Sequence, residues 1–183
     1  MIHPDTDLQW FGEDVGFGVI ATKDIPRGSY TWVRDVLDQV IEPEVAAALR
    51  LTRWHLEHDF QRDERGRFIL CWDLARYLNH SCEANCLTDP DHNFDIAVRD
   101  IRAGEQLTND YGLLGMLPDE VMDCSCGAPS CRGRIAGGAR PTGLDAKLND
   151  AMRLIPHVAQ PLAYLLDLQF AAAPITAARL IKP

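Results

Sequence analysis

The stretch Arg76–Cys86 reads RYLNHSCEANC, and it places a histidine, two asparagines and two cysteines within a few residues of one another. It follows directly on FILCWDLA (68–75), a run rich in apolar residues, so the chain is expected to enter a core at this point. Taken alone, these asparagines could be turn formers and the histidine could be a core residue with satisfied hydrogen bonds. The stretch indicates a functional site only if other parts of the sequence support one.

A second cysteine-rich stretch supports a metal site. Cys124, Cys126 and Cys131 form the pattern C-x-C-x4-C, with glycine and proline between them that allow the backbone to fold tightly around a small ion. Structural zinc takes four ligands in tetrahedral geometry, commonly thiolates, so one more ligand must come from elsewhere. The natural candidates are Cys82 and Cys86, and Cys71 and the histidines are weaker ones. Unrelated free thiols or a disulfide are the alternatives, and both fit a glycine-rich, apparently intracellular segment less well.

The composition predicts a soluble domain with a basic partner. The chain has 183 residues, 46% of them apolar, which is enough for one domain with a small appendage. The net charge is −9 and no block of lysines or arginines occurs, which argues against direct binding to nucleic acid. An acidic surface favours a basic partner, and a lysine-rich protein tail would qualify.

The sequence shows no targeting or membrane segment. The first residues form neither a basic leader nor an apolar run, and no apolar window reaches the length of a membrane span. Even FAAAPITAARLI (170–181) is short and contains a proline and an arginine. We therefore expect an intracellular, cytoplasmic protein, nuclear if the host is eukaryotic, with no membrane partner.

Hydrophobic periodicity and turn residues predict a mainly β core with short helices and a helical tail. The predicted elements are short strands within 8–36, strands over 67–72 and 94–101, and helices over about 43–58, 144–155 and 162–170. The helix over 144–155 has one apolar face, made by Leu144, Leu148, Met152 and Ile155. That face packs either on the same chain, which we favour, or in a homodimer interface, because periodicity shows a buried face without saying what buries it.

Five motifs in one order resemble the SET-domain lysine methyltransferases with a post-SET zinc motif, over roughly residues 10–135. The match at RYLNHSCEANC is the most extensive, since the family pattern there is R-F-x-N-H-S-C-x-x-N. The other matching stretches are GFGVIA (16–21), IPRGSY (25–30), AVRDIRAGEQLTNDYG (97–112) and CSCGAPSCRG (124–133). A lone G-x-G would be weak, but five ordered motifs are specific.

The resemblance implies a fold and a domain organisation. It implies a β-clip of small sheets with a pseudoknot, in which a late segment threads under an earlier loop, a topology that is rare among folds. The implied units are a SET domain over 7–115, a post-SET zinc segment over 120–135 and a helical C-terminal extension over 140–183.

The resemblance also assigns residues to a site. It implies one structural zinc per chain, S-adenosylmethionine as the cofactor and Tyr111 as the catalytic residue. The implied cofactor-binding residues are Phe17, Gly18, Arg76, Asn79 and His80. The implied zinc ligands are Cys82, Cys124, Cys126 and Cys131, which leaves Cys86 as a core or near-surface thiol.

The implied reaction is methyl transfer to the ε-amine of a lysine in a histone or another basic protein. The amine must be neutral to attack, although its ordinary pKa is about 10.4. A narrow apolar channel lowers that pKa and aligns the reacting atoms. The Tyr111 hydroxyl is expected to orient the amine, with backbone carbonyls near Leu78 completing a polar ring.

Two positions depart from the family pattern. Asn109 stands two residues before the tyrosine, where the family usually has phenylalanine or tyrosine, and its amide could hold a water that an aromatic ring would exclude. Arg34 lies in VRDVL (33–37), at the place of a family tyrosine, so one wall of the substrate channel differs. The sequence thus leaves open the degree of methylation and the substrate, and it keeps alive two non-enzymatic hypotheses: a catalytically silent SET-like interaction module and a zinc-ribbon-like binding protein.

Overall fold

The computed structural model describes residues 1–50, 61–62, 66–89, 93–114, 116, 120–137 and 142–171. This part of the chain is built from short strands, two to five residues long, which confirms the prediction of a mainly β domain. The strands are Thr6–Trp10 (β1), Phe17–Ala21 (β2), Tyr30–Val33 (β3), Gln39–Ile41 (β4), Gln61–Arg62 (β5), Phe68–Leu70 (β6), Asn79–His80 (β7), Cys86–Asp89 (β8), Phe94–Ala97 (β9), Thr108–Asn109 (β10), Val121–Asp123 (β11) and Arg134–Ala136 (β12).

The strands form small separate sheets rather than one large one. β1 and β2 make an antiparallel hairpin, and β11 and β12 make another. β3, β9 and β8 form one three-stranded antiparallel sheet, and β4, β6 and β5 form a second. β7 and β10 pair in parallel, although Asn79 and its partner Thr108 are 29 positions apart in the sequence, so a late segment lies directly beside an early one.

The main hydrophobic core lies between the hairpin β1–β2 and the sheets. Val19, Ile101 and Leu107 are fully buried within it, and Cys71 and Cys86 lie there too, as small apolar side chains. The Leu107 backbone N–H donates to the Val19 carbonyl (2.8 Å), which ties β2 to the segment that leads into β10. The core therefore fixes the position of the parallel pair β7–β10.

Three α-helices lie in the described residues: Pro43–Ala48 (α1), Leu144–Met152 (α2) and Ala163–Ala171 (α3). α1 begins at a proline in the first turn, where the missing N–H is tolerated, as predicted for the helix over 43–58. The described part of the helix ends at Ala48, and positions 51–58 of the predicted helix lie outside the described residues. None of the described helices is long and apolar enough to cross a membrane.

The C-terminal helices pack on the same chain. The predicted apolar face of α2 contacts a second core cluster, which contains Val33 and Ile96 of the central sheet. The Gln160 side chain accepts a hydrogen bond from the Tyr30 backbone N–H (2.9 Å) and donates one to the Gly28 carbonyl (2.6 Å). The predicted apolar face thus packs on the same chain, and a homodimer through the C-terminal helices stays a prediction.

Candidate active site and metal centre

The parallel pair β7–β10 brings the two most informative sequence segments together. Asn85, which is almost fully buried, holds the two segments together. Its side-chain oxygen accepts a hydrogen bond from the Thr108 backbone N–H, and its side-chain nitrogen donates one to the Gln106 carbonyl, both at 2.8 Å. A buried amide that satisfies two backbone groups is more than a turn former. The N-H-S-C segment and the segment that ends in Tyr111 are therefore held side by side.

Tyr111 begins a short 3₁₀ turn, Tyr111–Leu113, which we call the Tyr111 turn. The Asp110 carboxylate caps this turn by accepting a hydrogen bond from the Gly112 N–H (3.1 Å). The Tyr111 hydroxyl donates to the Leu78 carbonyl at 2.7 Å. Burial raises the pKa of Tyr111 to about 12, so the hydroxyl keeps its proton at neutral pH and can make this bond.

His80 connects the Tyr111 turn to the cysteines. Burial lowers the pKa of His80, and Arg132 lowers it further against the opposing charge of Asp110, so the ring is neutral at neutral pH. Its Nδ1 accepts a hydrogen bond from the Tyr111 backbone N–H (3.1 Å), which places the ring proton on Nε2. Nε2 lies 3.4 Å from the Cys82 sulfur and donates to it. The ring therefore serves the cysteine cluster as a donor, and the cofactor contact expected of the His80 backbone stays a prediction.

Three of the four predicted zinc ligands, Cys82, Cys124 and Cys126, lie together with His80, and Cys131 adjoins this group through Cys124. The Cys124 sulfur is 3.8 Å from that of Cys82 and 3.7 Å from that of Cys131. The ligand atoms of Cys126, Cys124, Cys82 and His80 all lie within 4.8 Å of one another. Zinc bound tetrahedrally by sulfurs at about 2.3 Å holds those sulfurs about 3.8 Å apart, so the cluster has the dimensions of a zinc site.

The ionisation of the thiols also fits a metal. Backbone N–H groups and neighbouring thiols lower the pKa of Cys126 to about 6 in spite of its desolvation. Desolvation and competition from the neighbouring thiols raise the pKa of Cys124 to about 12. One thiolate is thus stable here by itself, and further thiolates require a cation to offset their mutual repulsion. The cluster can bind a divalent metal such as zinc.

A cradle for a ligand lies on the other side of β7, at Gly18. A Cβ at this position would collide with the Gln106 side-chain nitrogen and would come within 2.8 Å of the Asn79 side-chain nitrogen. The Asn79 nitrogen donates to the Phe17 carbonyl at 3.0 Å. The Gln106 nitrogen is buried and has no hydrogen-bond partner among the described residues. An unsatisfied donor beside a glycine suits a polar ligand group. Gln106 is not among the residues predicted from the sequence, and its place in the QLTNDYG segment is the one signal that could have indicated it.

Exposed aromatic rings adjoin the cradle. Phe17 is 45% exposed, and its ring makes edge contacts with those of Trp10 (5.0 Å between centroids) and Tyr77 (5.9 Å). Such a surface suits a flat, partly apolar ligand group such as a purine. Arg76, also predicted to bind cofactor, donates two hydrogen bonds to the Cys71 carbonyl (3.0 and 2.8 Å), which orders the turn before β7. Its role towards a cofactor stays a prediction.

Asn109 points into the protein. Its side-chain nitrogen donates to Asp95 (2.8 Å) and Thr88 (2.9 Å), and its oxygen accepts from the Asp110 backbone N–H (2.7 Å). Both amide hydrogens are used in these bonds and the residue is fully buried. The expectation that this amide could hold a water is therefore wrong. Arg34, the other departure from the family pattern, donates to the Asn93 side chain at 3.2 Å.

Comparison with known proteins agrees with the motifs. A sequence model described as the SET domain matches residues 16–112, which is more than half of the chain. The chain therefore belongs to the SET domain family, and the predicted family is confirmed.

Individual relatives carry names of one class. The chain is 32% identical over 154 residues to "Histone-lysine N-methyltransferase, H3 lysine-36 specific" of Schizosaccharomyces pombe (77% of this chain, 19% of that protein). It is 30% identical over 164 residues to "Histone-lysine N-methyltransferase ASHH3" of Arabidopsis thaliana (79% and 42%). The methyltransferase domain of human histone-lysine N-methyltransferase SETMAR has the same fold, with a TM-score of 0.52 at 21% identity (75% of this chain, 59% of that one). The chain thus spans less than half the length of either curated relative.

Proposed function

We propose that this chain is a protein-lysine N-methyltransferase, which moves a methyl group from S-adenosylmethionine to the ε-amine of a lysine in a protein substrate. One observation carries the proposal: the neutral Tyr111 hydroxyl is bound to the Leu78 carbonyl beside the parallel pair β7–β10, whose Asn79 side chain adjoins the Gly18 cradle on β2. The names of the relatives, all histone-lysine N-methyltransferases, support the same reaction.

The cofactor would lie against the cradle. Gly18 allows its backbone to approach closely, and Gln106 supplies an unused hydrogen-bond donor there. The amide of Asn79 and the backbone of His80 would hold the polar end of the molecule, while the ring of Phe17 would pack on the purine. Bound there, S-adenosylmethionine supplies an electrophilic methyl group on a sulfonium.

The protein's part in the transfer is to orient a neutral amine. Because the Tyr111 hydroxyl donates its hydrogen to Leu78, its oxygen lone pairs remain free to accept a hydrogen bond from the lysine amine. The amine loses its extra proton to solvent before transfer, since desolvation in the channel lowers the lysine pKa. Tyr111 and the Leu78 carbonyl then fix the nitrogen in line with the methyl carbon, which removes the entropic cost of orientation.

Zinc would have a structural part. Bound by Cys82, Cys124, Cys126 and Cys131, it would tie the segment 120–137 to the end of β7 and supply no chemistry to the transfer. It would thereby hold the segment 120–137 beside the Tyr111 turn.

The substrate would be a basic protein segment, such as a histone tail. The chain's net charge of −9 favours association with lysine-rich segments and disfavours nucleic acid. A histone substrate would place the protein in the nucleus of a eukaryotic host.

The first test is binding of S-adenosylmethionine to purified, zinc-loaded protein by calorimetry, which requires no knowledge of the substrate. We expect about one molecule per chain, and an affinity loss of about tenfold or more in Asn79→Ala, since a lost hydrogen bond to a charged group costs about 1.5–3 kcal/mol. Asn149→Ala, at an exposed position of α2, is the matched control and should bind like the wild type. Folded, zinc-loaded wild type that does not bind would contradict the proposal and favour a catalytically silent interaction module.

The second test is methyl transfer itself. With labelled S-adenosylmethionine and core histones, we expect incorporation by the wild type and a rate reduced by about 100-fold or more in Tyr111→Phe, because an orienting hydroxyl is lost at the reacting centre. Equal rates for the two proteins would remove Tyr111 from the mechanism.

A further inference from the structure

We propose that Arg132 is a positioning residue, whose guanidinium joins the Cys82 sulfur to the Asp110 carboxylate and so fixes the Tyr111 turn to the cysteine cluster. The inference rests on the proposed function for the role of Tyr111, but its physical content, a mechanical link between cluster and turn, can be tested without methyl transfer.

The guanidinium contacts both groups at once. The Arg132 Nε donates to the Cys82 sulfur at 3.3 Å, and its Nη2 donates to the Asp110 Oδ1 at 2.7 Å. The Arg132 backbone N–H donates to the same sulfur, also at 3.3 Å. Because a guanidinium is planar and rigid, these contacts fix the distance and direction between sulfur and carboxylate.

The carboxylate at the other end depends on this partner. The Asp110 side chain is only 2% exposed, and a buried carboxylate that loses its cation is strongly unfavourable. The ring of His80 also lies near it, with Nδ1 at 3.9 Å, but that nitrogen already accepts a hydrogen bond from the Tyr111 N–H. Among the described residues, Arg132 is therefore the cation that makes a hydrogen bond to this carboxylate.

The same carboxylate caps the Tyr111 turn. Asp110 Oδ1 accepts both the Arg132 guanidinium and the Gly112 N–H, so its position determines where the turn begins. A second connection runs in parallel, because the His80 ring donates to Cys82 and accepts from Tyr111. Two links thus start at one sulfur and converge on the residue whose hydroxyl lies against Leu78.

Lysine cannot replace this arginine. Its ammonium is a single point charge on a flexible chain, so it can pair with Asp110 or approach Cys82 but cannot fix the two relative to each other. Arg132→Lys therefore keeps the charge and removes the rigid link. Arg134→Lys is the matched control, because Arg134 is exposed on β12 in the same segment.

The test uses the zinc-loaded protein labelled with 3-fluorotyrosine and observed by ¹⁹F NMR. The chain has four tyrosines, and Tyr111→Phe identifies the signal of Tyr111. We expect Arg132→Lys to shift or broaden that signal, to leave the signal of Tyr164 in α3 unchanged, and to retain one zinc per chain. Arg134→Lys should leave all four signals in place.

Asp110→Asn probes the other end of the link without touching Cys82. It should perturb the same signal, because the neutral amide no longer holds the guanidinium. Where histone methylation is measurable, both variants should lower kcat severalfold at unchanged KM for S-adenosylmethionine. An unchanged Tyr111 signal in zinc-loaded Arg132→Lys would overturn the proposal, and loss of zinc from that variant would do so too, because Arg132 would then serve the metal site alone. Failure of the proposed function would appear differently, as a wild type that transfers no methyl group while the NMR response persists.

Discussion

Asp95 makes the stability of this domain depend on pH in a direction opposite to that of most carboxylates. It lies fully buried on β9 and accepts hydrogen bonds from Thr88 (2.7 Å) and Asn109 (2.8 Å). Burial raises its pKa to about 6, although these two bonds act to lower it, from an ordinary value of 3.8. The folded protein therefore holds this proton more tightly than the unfolded chain does. The contribution to stability is fully present below pH 3.8 and is lost as the pH rises through 6.

The size of the effect follows from the two pKa values. They differ by about 2 units, and each unit corresponds to about 1.4 kcal/mol, which gives about 3 kcal/mol in total, of which about 2 kcal/mol is lost between pH 4.5 and pH 7.5. Asp95→Asn removes the ionisation but keeps a side chain of the same shape. We expect the free energy of unfolding of the variant, minus that of the wild type, to rise by about 2 kcal/mol from pH 4.5 to pH 7.5.

Urea unfolding of both proteins at several pH values between 4.5 and 7.5, followed by tryptophan fluorescence, measures this difference. Subtracting the wild type cancels the titration of the cysteine cluster, which both proteins share. Asp167→Asn, at an exposed position of α3, is the control and should give a flat difference. A flat difference for Asp95→Asn as well would refute the reasoning, because it would mean that burial does not raise the pKa of Asp95.

Three further substitutions test the packing around the site. Gly18→Ala should weaken binding of S-adenosylmethionine about tenfold to a hundredfold by calorimetry, because a Cβ there displaces the side-chain nitrogens of Gln106 and Asn79, and a lost hydrogen bond to a charged ligand group costs about 1.5–3 kcal/mol. Gly28→Ala should destabilise the fold by roughly 2–4 kcal/mol in urea, because Gly28 has a φ of +92° and a Cβ would lie 2.7 Å from that of Leu154. Asn109→Phe, which introduces a residue usual for the family, should cost about 3–5 kcal/mol, because it removes a donor from a buried carboxylate and overfills a closed site.

Each of these has an outcome that would contradict it. Wild-type cofactor affinity in Gly18→Ala would mean that the cradle is not the binding site. Unchanged stability of Gly28→Ala would show that the packing of the C-terminal helices does not require the close contact between Gly28 and Leu154. Wild-type stability of Asn109→Phe would show that the buried polar cluster on β8 and β9 can be dispensed with.

The cysteine cluster could be predicted from the sequence because most of its geometry is local. Cys124, Cys126 and Cys131 lie within eight residues, and glycines with positive φ, such as Gly127, let that short segment fold back on itself. The fourth ligand, Cys82, lies far away in the chain and came from the family pattern. Spacing alone could not have chosen it over Cys86, which the structure places in the core.

The cradle could be predicted only in part, because long-range pairing creates it. Gln106 meets Gly18 since the segment before β10 bridges to β2 at Ile20, and no local pattern in either segment indicates that contact. The rings of Trp10 and Tyr77 likewise meet Phe17 from separate strands and turns. The residue types near the site were evident from the sequence, but which residues contact one another depends on the parallel pairing of β7 with β10. Each of these strands has two paired residues, which is too short for a recognisable sequence pattern.

Asn109 shows why a departure from a family motif cannot be interpreted at that position alone. An asparagine in place of an aromatic ring suggests a free polar group beside the reacting tyrosine. The structure has Thr88 and Asp95 on neighbouring strands, and these two use both hydrogens of the amide, while the Asp110 N–H binds its oxygen. The polar group is therefore satisfied within the protein, and the asparagine differs from the family's aromatic residue in its smaller size and in its bond to the buried Asp95 carboxylate. Any effect of Asn109 on how many methyl groups are added should accordingly follow the size of the residue at this position rather than its ability to bind water.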